Sequence, residues 1–376
     1  MRGERDAHLL GPGPKRILSL DGGGTLGIIE LAFLERIEAL LGEHFANPAF
    51  RLCDEFDLIG GTSTGAIIAG CLALGKSVAE VTKLYLELAP YAFRRRIWRV
   101  PGLAPRFDAR PLTRFLRELF GECTLESEEI RTGLAIMARR FDTGSPWLIS
   151  NDPNAPYWHD PPDGGYIGNR HYRVADMVRA STAAPGFFSP QLLPIVQGEA
   201  LGMFIDGGLS PYNNPSLALF MMSQVGAFGL RWKTGPEQLT LLSIGAGSYR
   251  RGLPQNGRPP SLAGRLALRA VMDSVADGQV LTLTLLQWLG ETPQPWIINS
   301  EVGDLSGDML AGRALLRFQR YDMPLEPAWL LENLGQQFSE KVILRLRQID
   351  NPADMVELYA MASTVAGKQV KLEHFI

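Results

Sequence analysis

Twice near its start the chain passes from a short apolar run, through a glycine cluster, into a segment whose apolar residues recur at helical spacing. Arg16–Leu20 (RILSL) reads as a buried strand. Gly22, Gly23 and Gly24 follow, and then Ile28, Leu31, Leu34, Ile37 and Leu41 mark one helix face, with Gly42 placed to stop it. The second unit runs from Phe56–Ile59 through Gly60–Gly65 into an apolar helix, Ala66–Leu74. Ser77 and Glu80 have the spacing of a capping box, so a further helix should begin there. Strand, tight turn and helix in series predict an α/β fold: three layers, with a largely parallel central sheet covered on both faces.

Further strands are expected at Leu134–Ala138, Met203–Ile205 and Leu239–Ile244, and residues 151–170, rich in Pro, Gly, Asn and Asp, read as a surface loop. The expected organisation is a flexible tail over residues 1–14, a catalytic core over 15–250 and a mainly helical region over 251–376 packed on that core. The apolar run Trp296–Asn299 is the exception within that last region.

The chain has 376 residues, 45% of them hydrophobic, enough for a large core without metal or disulfide staples. A net charge of −3 gives no sign of a nucleic-acid partner. Cys53, Cys71 and Cys123 stand far apart, which suits free thiols in a reducing compartment. The polar start lacks the apolar core of a signal peptide, and no apolar run reaches the roughly 18 residues a membrane span requires. The expectation is a cytoplasmic protein that at most visits a membrane surface.

Gly22, Gly24 and Gly27 fit a dinucleotide-binding fingerprint, G-x-G-x-x-G, between strand and helix. They equally fit a loop whose backbone N–H groups converge on an oxyanion, or a plain tight turn. Against the dinucleotide, Asp21 would face a pyrophosphate, and the second strand runs into glycine rather than ending in an acid. Gly61-Thr62-Ser63-Thr64-Gly65 is a G-x-S-x-G sequence in the strand–turn–helix context of a nucleophile elbow. Small residues on either side let strand and helix pass, and the helix N-terminus favours negative charge developing at Ser63.

A serine nucleophile needs a base. His8 and His44 precede it, His159 and His171 lie in or beside the expected loop, and His374 sits third from the end, so none is well placed. Asp206-Gly207-Gly208 follows the strand Met203–Ile205, which sets a carboxylate at a carboxyl end of the sheet, where ligands bind in open α/β folds. The plain alternative is a D-G turn. A water-poor setting would raise the aspartate's pKa and make it a stronger base.

Four blocks in order resemble the patatin-like phospholipases: Asp21–Gly27 (DGGGTLG), Gly61–Gly65 (GTSTG), Ala180–Phe188 (ASTAAPGFF), and Asp206–Gly208 with Asn213-Asn214-Pro215. The resemblance spans roughly residues 15–250. It implies a Ser63–Asp206 dyad without histidine and an oxyanion hole from Gly22, Gly23 and Gly24. It also implies hydrolysis of fatty acyl esters of phospholipids and related lipids, with no metal or organic cofactor, and turns the glycine cluster from dinucleotide to oxyanion. Some bacterial relatives are switched on by a small signal molecule, for which no residues here identify a site. The chain departs from the family where a basic residue commonly precedes the last glycine of the loop; Thr25 and Leu26 stand there.

An acyltransferase would use the same residues, with an alcohol in place of water, and a non-catalytic lipid-binding or scaffold protein is the reading from outside enzymology. Arg94, Arg95, Arg96, Arg99 and Arg106 are interleaved with Tyr91, Phe93, Trp98 and Phe107. Basic and aromatic residues together suit an anionic lipid surface, which makes Arg94, Arg95, Arg96, Trp98 and Arg99 candidate membrane contacts. A loop packed on the protein with solvated arginines carries equal weight, and nucleic acid the least. Oligomeric state is not legible.

Overall fold

In the computed structural model, which describes residues 3–94, 105–198, 201–249 and 263–375, nine strands form one sheet. They are β1 (Lys15–Leu20), β2 (Leu58–Thr62), β3 (Gly133–Arg140), β4 (Ser145–Ser150), β5 (Gln191–Pro194), β6 (Leu201–Asp206), β7 (Leu239–Ile244), β8 (Gly290–Glu291) and β9 (Leu316–Tyr321). The order β5-β6-β3-β2-β1-β7-β9-β8 is parallel from β3 to β8, while β4, β5 and β6 pair antiparallel.

The helices among the described residues are α1 (Glu4–Leu10), α2 (Gly27–His44), α3 (Leu52–Glu55), α4 (Thr64–Ala73), α5 (Val78–Ala92), α6 (Ala109–Phe120) and α7 (Val174–Ser181). They continue with α8 (Ser216–Gln224), α9 (Ala263–Leu289), α10 (Pro327–Leu334), α11 (Glu340–Leu346) and α12 (Met355–Gln369). Successive strand residues feed opposite cores. Leu18, Ile59, Leu134 and Leu242 pack with α2, α4, α5, α7 and α12, whereas Ile17, Leu58, Ala135 and Leu241 pack with Leu9, Leu219 and Leu286. That alternation of period two makes a three-layer α/β sandwich with a helical C-terminal region.

The Ser77–Glu80 box caps α5, with Ser77 N–H donating to Glu80 Oε2 at 2.7 Å. Helix α2 runs past Gly42 to His44. Residues 4–10, read above as part of a loose tail, form a helix whose Leu9 is buried; the Trp232 indole N–H donates to the Leu9 carbonyl at 2.9 Å. The run Trp296–Asn299 forms no strand: Trp296 is tied to the Gln287 side chain and to the Arg320 carbonyl, and Asn299 forms an isolated bridge to Gly303 while its side-chain oxygen accepts the N–H groups of Glu301 and Val302. The sheet strands of this region are the two-residue β8 and the longer β9, whose Arg317, Gln319 and Arg320 disguise it in the sequence.

The edges of β3 decide what meets at the carboxyl end of the sheet. Strand β2 follows β3 as far as Thr62 opposite Met137, then turns away at Ser63. The other edge of β3 carries β4 over Ala135–Arg140. Strand β6 therefore enters antiparallel on the edge that β2 has left, with Asp206 opposite Ala138.

Candidate active site

Ser63 lies between β2 and α4 with φ 54° and ψ −120°, a left-handed backbone that a non-glycine residue adopts at a cost. The close approach explains its neighbours. A Cβ on Gly61 would lie 2.2 Å from the Gly65 carbonyl oxygen, and one on Gly65 would lie 2.4 Å from that of Asp21. The strained turn is held in part by Ser181 at the end of α7, whose hydroxyl accepts from Ser63 N–H at 2.7 Å and donates to the Met137 carbonyl at 2.6 Å.

The Ser63 hydroxyl donates to Asp206 Oδ2 at 2.6 Å, and the other carboxylate oxygen accepts from Gly208 N–H at 2.7 Å. Asp206 is buried, and burial pushes its pKa up to about 6, against the opposing pull of Ser63, Gly208 and the Arg179 guanidinium. Arg179, also buried, is itself pulled down to about 10 by desolvation; it donates to the Ser189 carbonyl and lies over the Phe188 ring.

The glycine loop lies across from this pair. A Cβ on Gly22 would lie 3.4 Å from Ser63 Cβ. Gly22 N–H donates to the Asn213 carbonyl at 2.9 Å, the Asn213 side-chain amide donates back to the Gly22 carbonyl at 3.0 Å, and Gly23 N–H donates to Thr64 Oγ1 at 3.1 Å. The Tyr85 hydroxyl donates to the Gly24 carbonyl, and Thr25 N–H to the Ile349 carbonyl at 2.8 Å. Beneath the loop, Asp21 is fully enclosed and receives both Nη atoms of Arg320, at 3.0 and 2.7 Å.

The structure thus brings Ser63, Asp206, the Gly22–Gly24 loop, Gly61 and Gly65 together. Arg95, Arg96, Trp98 and Arg99 lie outside the described residues, and Arg94 is exposed two residues past the end of α5. Of the aromatic residues around them, Phe93 and Phe107 pack edge to face, and Arg106 pairs with Asp350 at 2.5 Å. His374, the histidine with a late position, is buried and hydrogen-bonded to the Tyr321 hydroxyl, whereas the Ser63 hydroxyl is bonded to Asp206.

Sequence reasoning assigned no role to Ser181, Arg179 or Asn213, although Ser181 and Asn213 lie inside the quoted blocks. It missed Arg320 altogether, since an isolated arginine in a helical-looking region carries no local signal.

The Patatin-like phospholipase family model matches residues 18–220, a span that holds the glycine loop, the Ser63 turn and Asp206. A cUMP-AMP-activated phospholipase of Escherichia coli is 32% identical over 64% of this chain and 67% of its own length. A cGAMP-activated phospholipase of Vibrio cholerae is 32% identical over 54% of this chain and 55% of its own, so the match spans little more than half of that relative. Patatin group M-3 of Solanum tuberosum is 27% identical over 62% of this chain and 60% of its own. With the family match covering more than half of the sequence, and the serine turn, glycine loop and aspartate of that span converging in space, the chain belongs to the patatin-like phospholipase family.

Proposed function

We propose that the protein hydrolyses fatty acyl esters of lipids through Ser63 as nucleophile and Asp206 as base. The observation that carries this reading is the 2.6 Å hydrogen bond from the Ser63 hydroxyl to a buried carboxylate, made from a strained turn at a helix N-terminus. Ser63 Oγ attacks the acyl carbon as its proton passes to Asp206 Oδ2. The ester C–O bond breaks and the leaving alcohol takes that proton. Water then gives a proton to Asp206 and attacks the acyl carbon, and the proton returns to Ser63 as its bond to the acyl group breaks.

The oxyanion falls to N–H groups of Gly22, Gly23 and Gly24. Two of these hold protein acceptors at rest, so they exchange Asn213 and Thr64 for the substrate oxygen.

Lipid contact is proposed for an apolar face at the same end of the sheet. Leu192 and Met203 are cross-strand partners, and Phe141 N–H bonds the Met203 carbonyl. Phe141, Leu201, Leu192 and Met203 are 62%, 57%, 50% and 37% exposed. Met203 is three residues along β6 from Asp206, about 10 Å. No helix among the described residues is long and apolar enough to cross a membrane.

The test is release of fatty acid from a panel of phospholipids and lysophospholipids by wild type, Ser63→Ala and Asp206→Asn. Each variant should lose on the order of 10⁴-fold or more in kcat with its thermal unfolding unchanged; near-native turnover by Asp206→Asn would overturn the dyad. Because relatives are named for activation by cUMP-AMP or cGAMP, each assay carries arms with those nucleotides.

A further inference from the structure

The glycine loop is preceded by a concentration of buried acid. Asp21 directly adjoins Gly22, its N–H donates to Glu30 Oε1 at 2.7 Å, and Asp322 shares the Arg320 Nη2 with Asp21; all three carboxyls are buried. Glu30 Oε2 has no hydrogen-bond partner among the described residues, and burial holds Glu30 well above the usual carboxylate range. Arg320, on β9 and also buried, meets these acids. It donates twice to Asp21, to Asp322 Oδ2 at 3.2 Å and to the Ser243 hydroxyl at 2.7 Å. Gln279 adds a bond to Asp21 at 3.2 Å. Asp322 in turn receives the N–H groups of Gly247 and Met323, both at 2.8 Å. Space for the guanidinium depends on Gly245, where a Cβ would lie 2.3 Å from Arg320 Nη2.

Two consequences follow from elementary electrostatics. An ionised Asp21 without a counter-charge would set a negative charge one residue from the loop that must receive an oxyanion, and in a water-poor interior such a charge acts at full reach. The bidentate fork also restrains Asp21 in direction as well as position, which a single point contact would not do.

We propose that Arg320 is a positioning residue for the reaction: through Asp21 it holds the Gly22–Gly24 loop against Ser63 and counters the Asp21 charge beneath it. The residue that does this lies outside the family match, which ends at residue 220. The proposal rests on Ser63 and the glycine loop acting as described above.

The experiment measures kcat and KM on a water-soluble short-chain ester, the pH profile of kcat, and thermal unfolding. It compares wild type, Arg320→Met, the double variant Asp21→Asn/Arg320→Met, and Ser63→Ala. Folded Arg320→Met should lose about 100-fold in kcat with KM little changed, as expected when catalytic geometry is misplaced from a distance. The double variant, which removes the Asp21 charge next to the loop and leaves Asp322 on the N–H groups of Gly247 and Met323, should recover part of that loss.

If the single variant does not fold, the folded double variant should still fall at least about tenfold below wild type in kcat at unchanged KM, because the fork is gone. Native kcat in either folded variant overturns the proposal. So does a loss that appears in KM, or that the double variant does nothing to repair when the single variant folds. Ser63→Ala separates the two levels: if it remains active, the nucleophile reading fails, whatever the Arg320 variants do.

Discussion

At the scale of single residues, the proposed chemistry depends on one carboxyl kept at the edge of ionisation. Burial raises Asp206 to about 6, while its hydrogen bonds and Arg179 hold it from rising further. As a base it must be ionised, so kcat/KM should fall as pH drops through about 6 and level off above it. Replacing Arg179 with Met removes the cation and keeps an aliphatic stem against Phe188. The acid limb should then move upward by roughly one pH unit, read from the pH profile of kcat/KM. An acid limb that stayed in place, or moved down, would show that Arg179 does not bias Asp206. Asp206 was legible as a candidate because it follows an apolar run and precedes two glycines. The residues that tune and support the pair were not, because Arg179 and Ser181 bear on it from a helix whose docking no local pattern announces.

Among the elements, the hairpin of β5 and β6 has two faces with different duties. Phe204 and Asp206 turn inward, while Leu201 and Met203 turn out beside Leu192. If this outer face meets lipid, Leu192→Ser with Met203→Ser should lower turnover on phospholipid vesicles by about tenfold. Turnover of a soluble short-chain ester should stay near wild type. Equal loss on both substrates would assign the face to folding alone. The alternation of β6 was visible as a short strand in the sequence. Strand β9 was not, because Gln319 and Arg320 look like surface residues until their buried partners are known.

For the whole molecule, the helical C-terminal region is joined to the rest through the sheet itself. Strand β9 pairs with β7 from Thr240–Arg317 to Ile244–Tyr321, and α12 packs on α2. Ending the chain at residue 250 would expose the β7 edge and strand Asp21 without Arg320. Removing one partner of a buried ion pair alone costs about 3–5 kcal/mol. The truncated chain should therefore lose cooperative thermal unfolding, as followed by circular dichroism. A folded and active fragment would mean that the family span carries its own stability.

The amino-acid sequence by itself determined the class of the fold and the candidates for the reaction. Both are written in short-range chemistry: period-two and helical patterning, glycines where a Cβ has no room, a serine on a tight turn and an aspartate at a strand end. What only the tertiary structure decided is which distant groups share a volume. Asp206 reaches Ser63 because β6 takes the edge of β3 that β2 vacates, and Arg320 reaches Asp21 across 299 positions of chain because β9 lies beside β7. Strand order of this kind is set by the burial of whole faces and by edge pairing, summed over the molecule, so no window of the sequence contains it.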